Sequence, residues 1–249
     1  MTKVKLTKVV IPQSEIIRMD EKMKKRFIMF TCIMRDLNLL QKCLAYTSNN
    51  KPKKEPSISA NTTINFFFLK TLISKTHEMW SFINRNKVLD DYQKFSDDLK
   101  KKIYDIENFF SDKKVENIFS FIRNKFGFHY EYWDDIDKSI DNAFKKFDHY
   151  EAWLSSKDSA NEIFSSSNAV ILQVIFSEMQ QLGFVGDEKQ LMDIIFKLTL
   201  KIARLFQEFS TFYLTEAFSV KWEQQKEMEI DVPLISEVTL PLIISRRKI

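Results

Sequence analysis

Glycine and proline are scarce, with three and five among 249 residues. An all-β fold needs turn residues every ten positions or so, and this chain cannot supply them. Cysteine occurs twice, at Cys32 and Cys43. The two fall in one predicted helix, about 16 Å apart along its axis, too far to bridge. No metal-ligand spacing surrounds them, and two unpaired thiols suit a reducing cytoplasm, which is the expected location. Histidine occurs only three times, which argues against a His-rich metal site. No run of eighteen apolar residues exists, so no membrane span is expected. The N-terminal stretch has no continuous apolar core with a small-residue cleavage site, so no signal peptide is expected either. A Walker-type glycine loop, a dinucleotide fingerprint, HExxH, paired CxxC and a GxSxG elbow are all missing. No cofactor and no metal is therefore expected.

What remains is rich in core-forming residues. Hydrophobic residues make up 44% of the chain and charged residues 29%, which provides a core and solvated helix faces together. Twenty-three phenylalanines promise bulky core packing, with an apolar surface buried by a partner as the other use. The net charge of +4 is compatible with an anionic partner without singling one out. Basic clusters stand at Lys22/Lys24/Lys25/Arg26, Lys51/Lys53/Lys54, Lys100 to Lys102 and Arg246/Arg247/Lys248. Each reads first as a solvated face and only second as a phosphate site.

The pattern predicts an all-α fold: a single bundle of about six to seven helices, with irregular or extended ends. Residues 1–13 alternate loosely (Val4, Leu6, Val9, Ile11) and suit a short strand or an extended arm. From Ser14, a reasonable N-cap, Ile16, Met23, Phe27, Phe30, Met34, Leu37, Leu40 and Leu44 recur at helical spacing as far as Tyr46. Residues 47–60 are polar and carry Pro52 and Pro56, so they read as an exposed loop. Asn61 or Thr62 then caps a helix with Ile64, Phe68, Leu72, Met79 and Ile83 on its stripe. A third helix is predicted over 88–110, and a fourth after Asp112 with Val115, Ile118, Phe119, Ile122 and Phe126. A more polar fifth is predicted over 134–154. Ser155 to Ser167 reads as a loop, followed by a helix from Asn168 to Leu182 closed by Gly183. Asp187 and Gln190 make a capping box for the last helix. Its Leu191, Ile194, Leu198, Ile202, Leu205, Phe209, Phe212, Glu216 and Val220 keep heptad-like spacing over about 50 Å, suited to a bundle spine or a dimer seam. Residues 223–249, with Pro233, Pro241 and β-type residues, read as an extended tail or small ribbon. The expected division is an arm (1–13), a helical domain (14–222) and a tail (223–249).

One segment carries candidate chemistry: Phe121-Ile122-Arg123-Asn124-Lys125-Phe126-Gly127-Phe128-His129. Arginine neutralises phosphate bidentately, and histidine exchanges protons near neutral pH. On an ideal helix six residues amount to about 9 Å of rise and about 600° of turn, so the two side chains diverge by roughly 120°. Either Gly127 ends or distorts the helix and lets His129 fold back, or two copies of the segment face each other.

Arg123-Asn124-x4-His129 resembles the signature of the HEPN superfamily. That signature is an arginine and a histidine separated by four to six residues, with a polar residue after the arginine. The helical organisation of residues 14–221 and the Phe30-Thr31-Cys32-Ile33-Met34-Arg35-Asp36-Leu37 segment in the first helix are similar to abortive-infection and toxin–antitoxin members. The specific part of the resemblance is the seven residues of the signature. It implies a homodimer with a composite site across a two-fold axis and metal-independent cleavage of RNA. The 2′-hydroxyl would attack the adjacent phosphorus and leave a 2′,3′-cyclic phosphate and a free 5′-hydroxyl. On this reading His129 is the general base or acid, Arg123 stabilises the phosphorane, and Asn124 orients the histidine or bonds a phosphate oxygen. The implied partners are RNA, a second copy of the chain and a cognate antitoxin of nucleotidyltransferase-like type, in a toxin–antitoxin or phage-defence system. No membrane partner is implied. The other reading is a catalytically silent HEPN-like module binding a protein or a nucleotide through the same groove.

Blander roles stand beside these. Arg123 could sit near a helix C-terminus, favoured by its dipole. Asn124 could be ordinary helix-end chemistry. His129 could cap the last carbonyls or stack among Phe126, Tyr130 and Trp133. Tyr130, Tyr132 and Trp133 could stack an unpaired base or pack on the bundle. His77 and His149 read as surface or core histidines rather than catalytic ones.

Overall fold

The apolar residues are spaced to build helices, and helices are what form. A computed structural model describes residues 2–87, 92–127, 141, 144–146, 152, 165–218, 223–234, 237 and 238. Among them are seven α-helices, α1 (Gln13–Arg18), α2 (Glu21–Asn49), α3 (Ser57–Lys87), α4 (Asp97–Ser111), α5 (Lys113–Ile122), α6 (Ser165–Gln181) and α7 (Glu188–Glu216), of which α2 to α7 pack as a bundle and α1 buries no residue. A short 3₁₀ turn, Tyr92–Lys94, precedes α4, and a π-helical turn, Arg123–Gly127, continues α5. Two strands, β1 (Thr2–Val10) and β2 (Glu223–Val232), form the only sheet among the described residues. The expected helix over 134–154 lies outside the described residues.

Two long helices organise the bundle. α3 packs against α2, α5, α6, α7 and the π turn, and α7 packs against α2, α3, α4 and α6. Being surrounded, α3 buries Phe66, Leu69, Leu72, Ile73, Met79, Phe82 and Ile83 on more than one face. Its buried hydroxyls stay satisfied on their own helix: Ser74 Oγ donates to Lys70 O (2.8 Å) and Thr76 Oγ1 to Ile73 O (2.7 Å). The seam of α7 runs through Leu191, Ile195, Thr199, Ile202, Phe206, Phe209 and Tyr213, all buried. Spacings of three and four make it a bundle spine. Ile194, Leu198, Leu205 and Phe212 flank that seam and are only partly buried.

The phenylalanines largely fill the interior. Phe30, Phe110, Phe119, Phe126, Phe206 and Phe209 are fully buried. Phe30 lies 4.9 Å from Tyr213 and 6.0 Å from Phe209, ring centre to ring centre, and Trp80 stacks on Phe110 at 4.8 Å. Tilted and edge-on pairs of this kind add to simple area burial.

Helix ends follow side-chain chemistry, with some departures from expectation. Asp112 caps α5 by accepting from Lys114 N (2.9 Å), and the Asp187/Gln190 capping box of α7 forms as predicted. The first long helix, however, is broken in two. Ser14 is not its cap. Pro12 precedes α1 without a side-chain cap bond, Met19 turns extended, and Asp20 caps α2 by accepting from Met23 N (2.7 Å). The break lets Met19 bury its side chain. α3 also starts earlier than expected, at Ser57, because the Glu55 carboxylate accepts from Ser59 N (3.2 Å) and Ser59 Oγ (2.7 Å) and closes the first turn. α4 begins after Ser96, whose hydroxyl accepts from Leu99 N and donates to Glu216 Oε1 (2.6 Å), tying α4 to the end of α7.

The two ends of the described chain pair with each other, antiparallel, in register from Thr2↔Val232 to Val10↔Glu223. Val4↔Ile230 and Leu6↔Met228 share one face, while Lys3↔Asp231 and Lys5↔Glu229 share the other. The register shifts between Lys8 and Val9, where the apolar alternation also changes parity. No helix among the described residues is long and apolar enough to cross a membrane. Cys32 and Cys43 are free.

Candidate functional site

The site is built where α5 gives way to the π turn. α5 buries Val115, Ile118, Phe119 and Ile122, which fixes its rotation against α3. At Arg123 the backbone widens, and the turn ends at Gly127 with Phe126 buried inside it. Such wide turns are rare and are often found at functional sites. Gly127 explains how the turn fits. A Cβ there would lie 2.9 Å from Ser74 Cβ and would strike Ser74 Oγ, so only glycine allows the turn so close to α3. The expectation that the helix would distort near Gly127 is met by this turn.

Arg123 and Asn124 are brought together. Arg123 Nη1 donates to Asn124 Oδ1 (2.8 Å), and Asn124 Nδ2 reaches Ser120 Oγ (3.3 Å). The amide thus braces the guanidinium from its helical side. Asn124 is exposed and Arg123 half-buried. Arg123 Nε is buried with no hydrogen-bond partner among the described residues. His129, together with Tyr130, Tyr132, Trp133 and His149, lies outside the described residues.

A different histidine feels the charge of Arg123. His77, on α3 one turn beyond Ser74, is half-buried, and its Nδ1 is sealed without a partner among the described residues. Burial pushes its pKa down from the usual imidazole value, and the positive charge of Arg123 adds to the effect. Glu116 and Glu78 oppose it. Both carboxylates are already paired, Glu116 with Lys113 (2.7 Å) and Glu78 with Lys75 (2.9 Å), and Lys75 also faces Asp36 (3.6 Å). The acidic charge around the imidazole is therefore largely balanced, while the guanidinium is balanced by no carboxylate among these contacts. No cluster of three or more His, Cys, Asp or Glu that could hold a metal ion occurs among the described residues.

Sequence reasoning placed His77 among the bystanders. No local motif marks it, because its relation to Arg123 exists only through the packing of α3 on α5 and the π turn. The predicted basic clusters behave largely as solvated faces where they are described: Lys24 pairs with Glu21, Lys100 with Asp97 and Lys102 with Glu208. Residues 246–248 lie outside the described residues. Compared with models of known families, with curated proteins and with solved structures, the chain matches none.

Proposed function

We propose that this protein is a HEPN-type endoribonuclease, cleaving RNA without a metal ion and acting in a toxin–antitoxin or phage-defence system. The observation that carries the reading is the π turn that presents Arg123, braced by Asn124, at the end of α5. Arg123 binds the phosphate and stabilises the pentavalent phosphorane. Asn124 holds the guanidinium in place through its Oδ1. His129 serves as general acid or base, and a second copy of the chain completes the site across a two-fold axis. RNA supplies its own nucleophile, so DNA, which lacks the 2′-hydroxyl, is not cut.

The test is cleavage of RNA by the purified protein with a chelator present. Products ending in 2′,3′-cyclic phosphate are expected, with a loss of about 100-fold or more in Arg123→Ala, the size typical of removing one charge-stabilising donor. Undiminished cleavage by Arg123→Ala and His129→Ala would overturn the assignment. Absence of cleavage by the wild type, with a stable protein or nucleotide partner recovered, would favour the silent binding module instead.

A further inference from the structure

We infer that His77 belongs to the Arg123 site as a second imidazole, facing the scissile phosphate and able to take the proton of the 2′-hydroxyl. The inference rests on the endoribonuclease reading above and adds a residue outside the seven-residue motif.

Packing brings the two residues together. Ser74 of α3 sits against Gly127 at one end of the π turn. His77 follows Ser74 by one turn on the same face of α3, and Arg123 precedes Gly127 at the start of the π turn. The two elements therefore bring the imidazole and the guanidinium to one place. Each contributes a buried nitrogen without a partner, His77 Nδ1 and Arg123 Nε. Native proteins satisfy nearly all such atoms, and an exception calls for an explanation such as a catalytic role or a bound ion. Both side chains are of types that bind anions, and their placement at one joint of the fold points to an anionic ligand, met by the remaining nitrogens because the two sealed ones are closed to it. His77 makes no hydrogen bond among the described residues, so the ring is not used as a structural tie. With Nδ1 sealed, Nε2 is the nitrogen left to act.

The charges around the ring agree. Facing it are Arg123 from the π turn, Glu116 from α5 and Glu78 from its own helix. Lys113 and Lys75 neutralise the two carboxylates, and Asp36 of α2 is shared between Lys75 and Arg35. The surplus is the guanidinium, which attracts phosphate and, added to the larger effect of burial, favours the neutral imidazole. A neutral imidazole is the form a general base requires. In the step, the proton leaves the 2′-oxygen for His77 Nε2, the 2′-oxygen–phosphorus bond forms and the phosphorus–5′-oxygen bond breaks. The 5′-oxygen takes a proton from water. Nothing is oxidised or reduced, and no further reactant is consumed.

Two measurements on the full-length protein test this. With only three histidines in the chain, their imidazole NMR signals can be assigned by single His→Gln substitutions. Inorganic phosphate, and then a 2′-O-methyl oligonucleotide that cannot be cleaved, should shift the His77 signal saturably and raise its apparent pKa. Arg123→Ala should abolish both responses. In parallel, RNA cleavage with chelator should fall about 100-fold or more in His77→Gln, mainly in kcat, with the acidic limb of the pH–rate profile displaced. An unmoved His77 signal, or His77→Gln cleaving as the wild type does with the same pH profile, overturns the inference while leaving the nuclease reading intact. A phosphate-responsive His77 in a wild type that cuts no RNA overturns the nuclease reading and the proton-transfer role, and supports the anion site alone. The phosphate titration is run on the wild type, so it decides the question even where a variant folds poorly.

Discussion

Gly127→Ala should loosen the joint between α3 and the π turn. The glycine does not use a left-handed backbone, since only Gly183 and Gly186 have positive φ among the described residues. Backbone freedom is therefore not at issue, and alanine by itself would gain about 0.4–1 kcal/mol by restricting the unfolded chain. Contact is the obstacle. The new methyl would sit 2.9 Å from Ser74 Cβ and collide with Ser74 Oγ, itself held to Lys70 O at 2.8 Å on a residue with 0% exposure. Ser74 Cβ is fixed to the α3 backbone, and turning Oγ aside gives up its bond to Lys70 O. Overpacking of this kind costs about 1–3 kcal/mol, leaving a net destabilisation of about 1 kcal/mol at the middle of both ranges. The companion change Ser74→Gly removes both clashing atoms and costs about 0.5 kcal/mol in helix propensity. The double variant should then be more stable than the sum of the two losses implies, by about 1 kcal/mol or more. Urea unfolding of the four proteins, followed by helical circular dichroism, measures the cycle. Strict additivity, or a Gly127→Ala protein as stable as the wild type, would refute the claim that this glycine sets the spacing. On the proposed nuclease reading, the same displacement should move Arg123 relative to His77 and lower RNA cleavage beyond what stability alone accounts for.

Two further outcomes can be checked on the folded protein. His77 has a pKa lowered by burial and by Arg123, with Glu116 and Glu78 opposing, so the unfolded chain binds its proton at a higher pH than the folded one. The stability this neutral ring contributes is present above the ordinary imidazole pKa of about 6.5 and is lost as pH falls through the lower folded value. Unfolding free energy measured from pH 7.5 to 5 should drop more steeply in the wild type than in His77→Gln; equal slopes would contradict the assigned environment. Asp187→Ala removes one half of the α7 capping box, where Asp187 Oδ1 accepts from Gln190 N at 2.8 Å, and should cost about 1 kcal/mol in the same urea assay. A neutral result would mean that the α7 N-terminus frays regardless of its cap.

Local chemistry was legible where it acts over three or four residues. The apolar periods announced the long helices, Asp112 and the Asp187/Gln190 pair announced two of their starts, and Gly127 announced a distortion. Periodicity misled where it continued across a break. Ile16 and Met23 fit one helix by spacing, yet Asp20 caps a new one, because capping and the burial of Met19 together outweigh one more turn of helix. Spacing by residue type puts the α7 seam slightly off its centre, through Leu198 and Leu205 rather than Thr199 and Phe206. A threonine counts as polar by type, but here it turns its hydroxyl back to Ile195 O (2.7 Å) and is buried.

The candidate site divides in the same way. Arg123 and Asn124 are neighbours in the chain, so their pairing could be anticipated from the residues alone. The closeness of His77 could not, because it arises from two helices meeting at Ser74 and Gly127, and side chains far apart in sequence carry no mutual signature.

What the residues determined unaided is helicity, the identity of the core formers and an arginine–amide pair at a helix end, all consequences of short-range backbone and side-chain chemistry. What only tertiary structure decided is the pairing of β1 with β2 and the meeting of α3 with the π turn. Both depend on contacts between distant segments, where burial and close packing act on whatever surfaces the fold brings together.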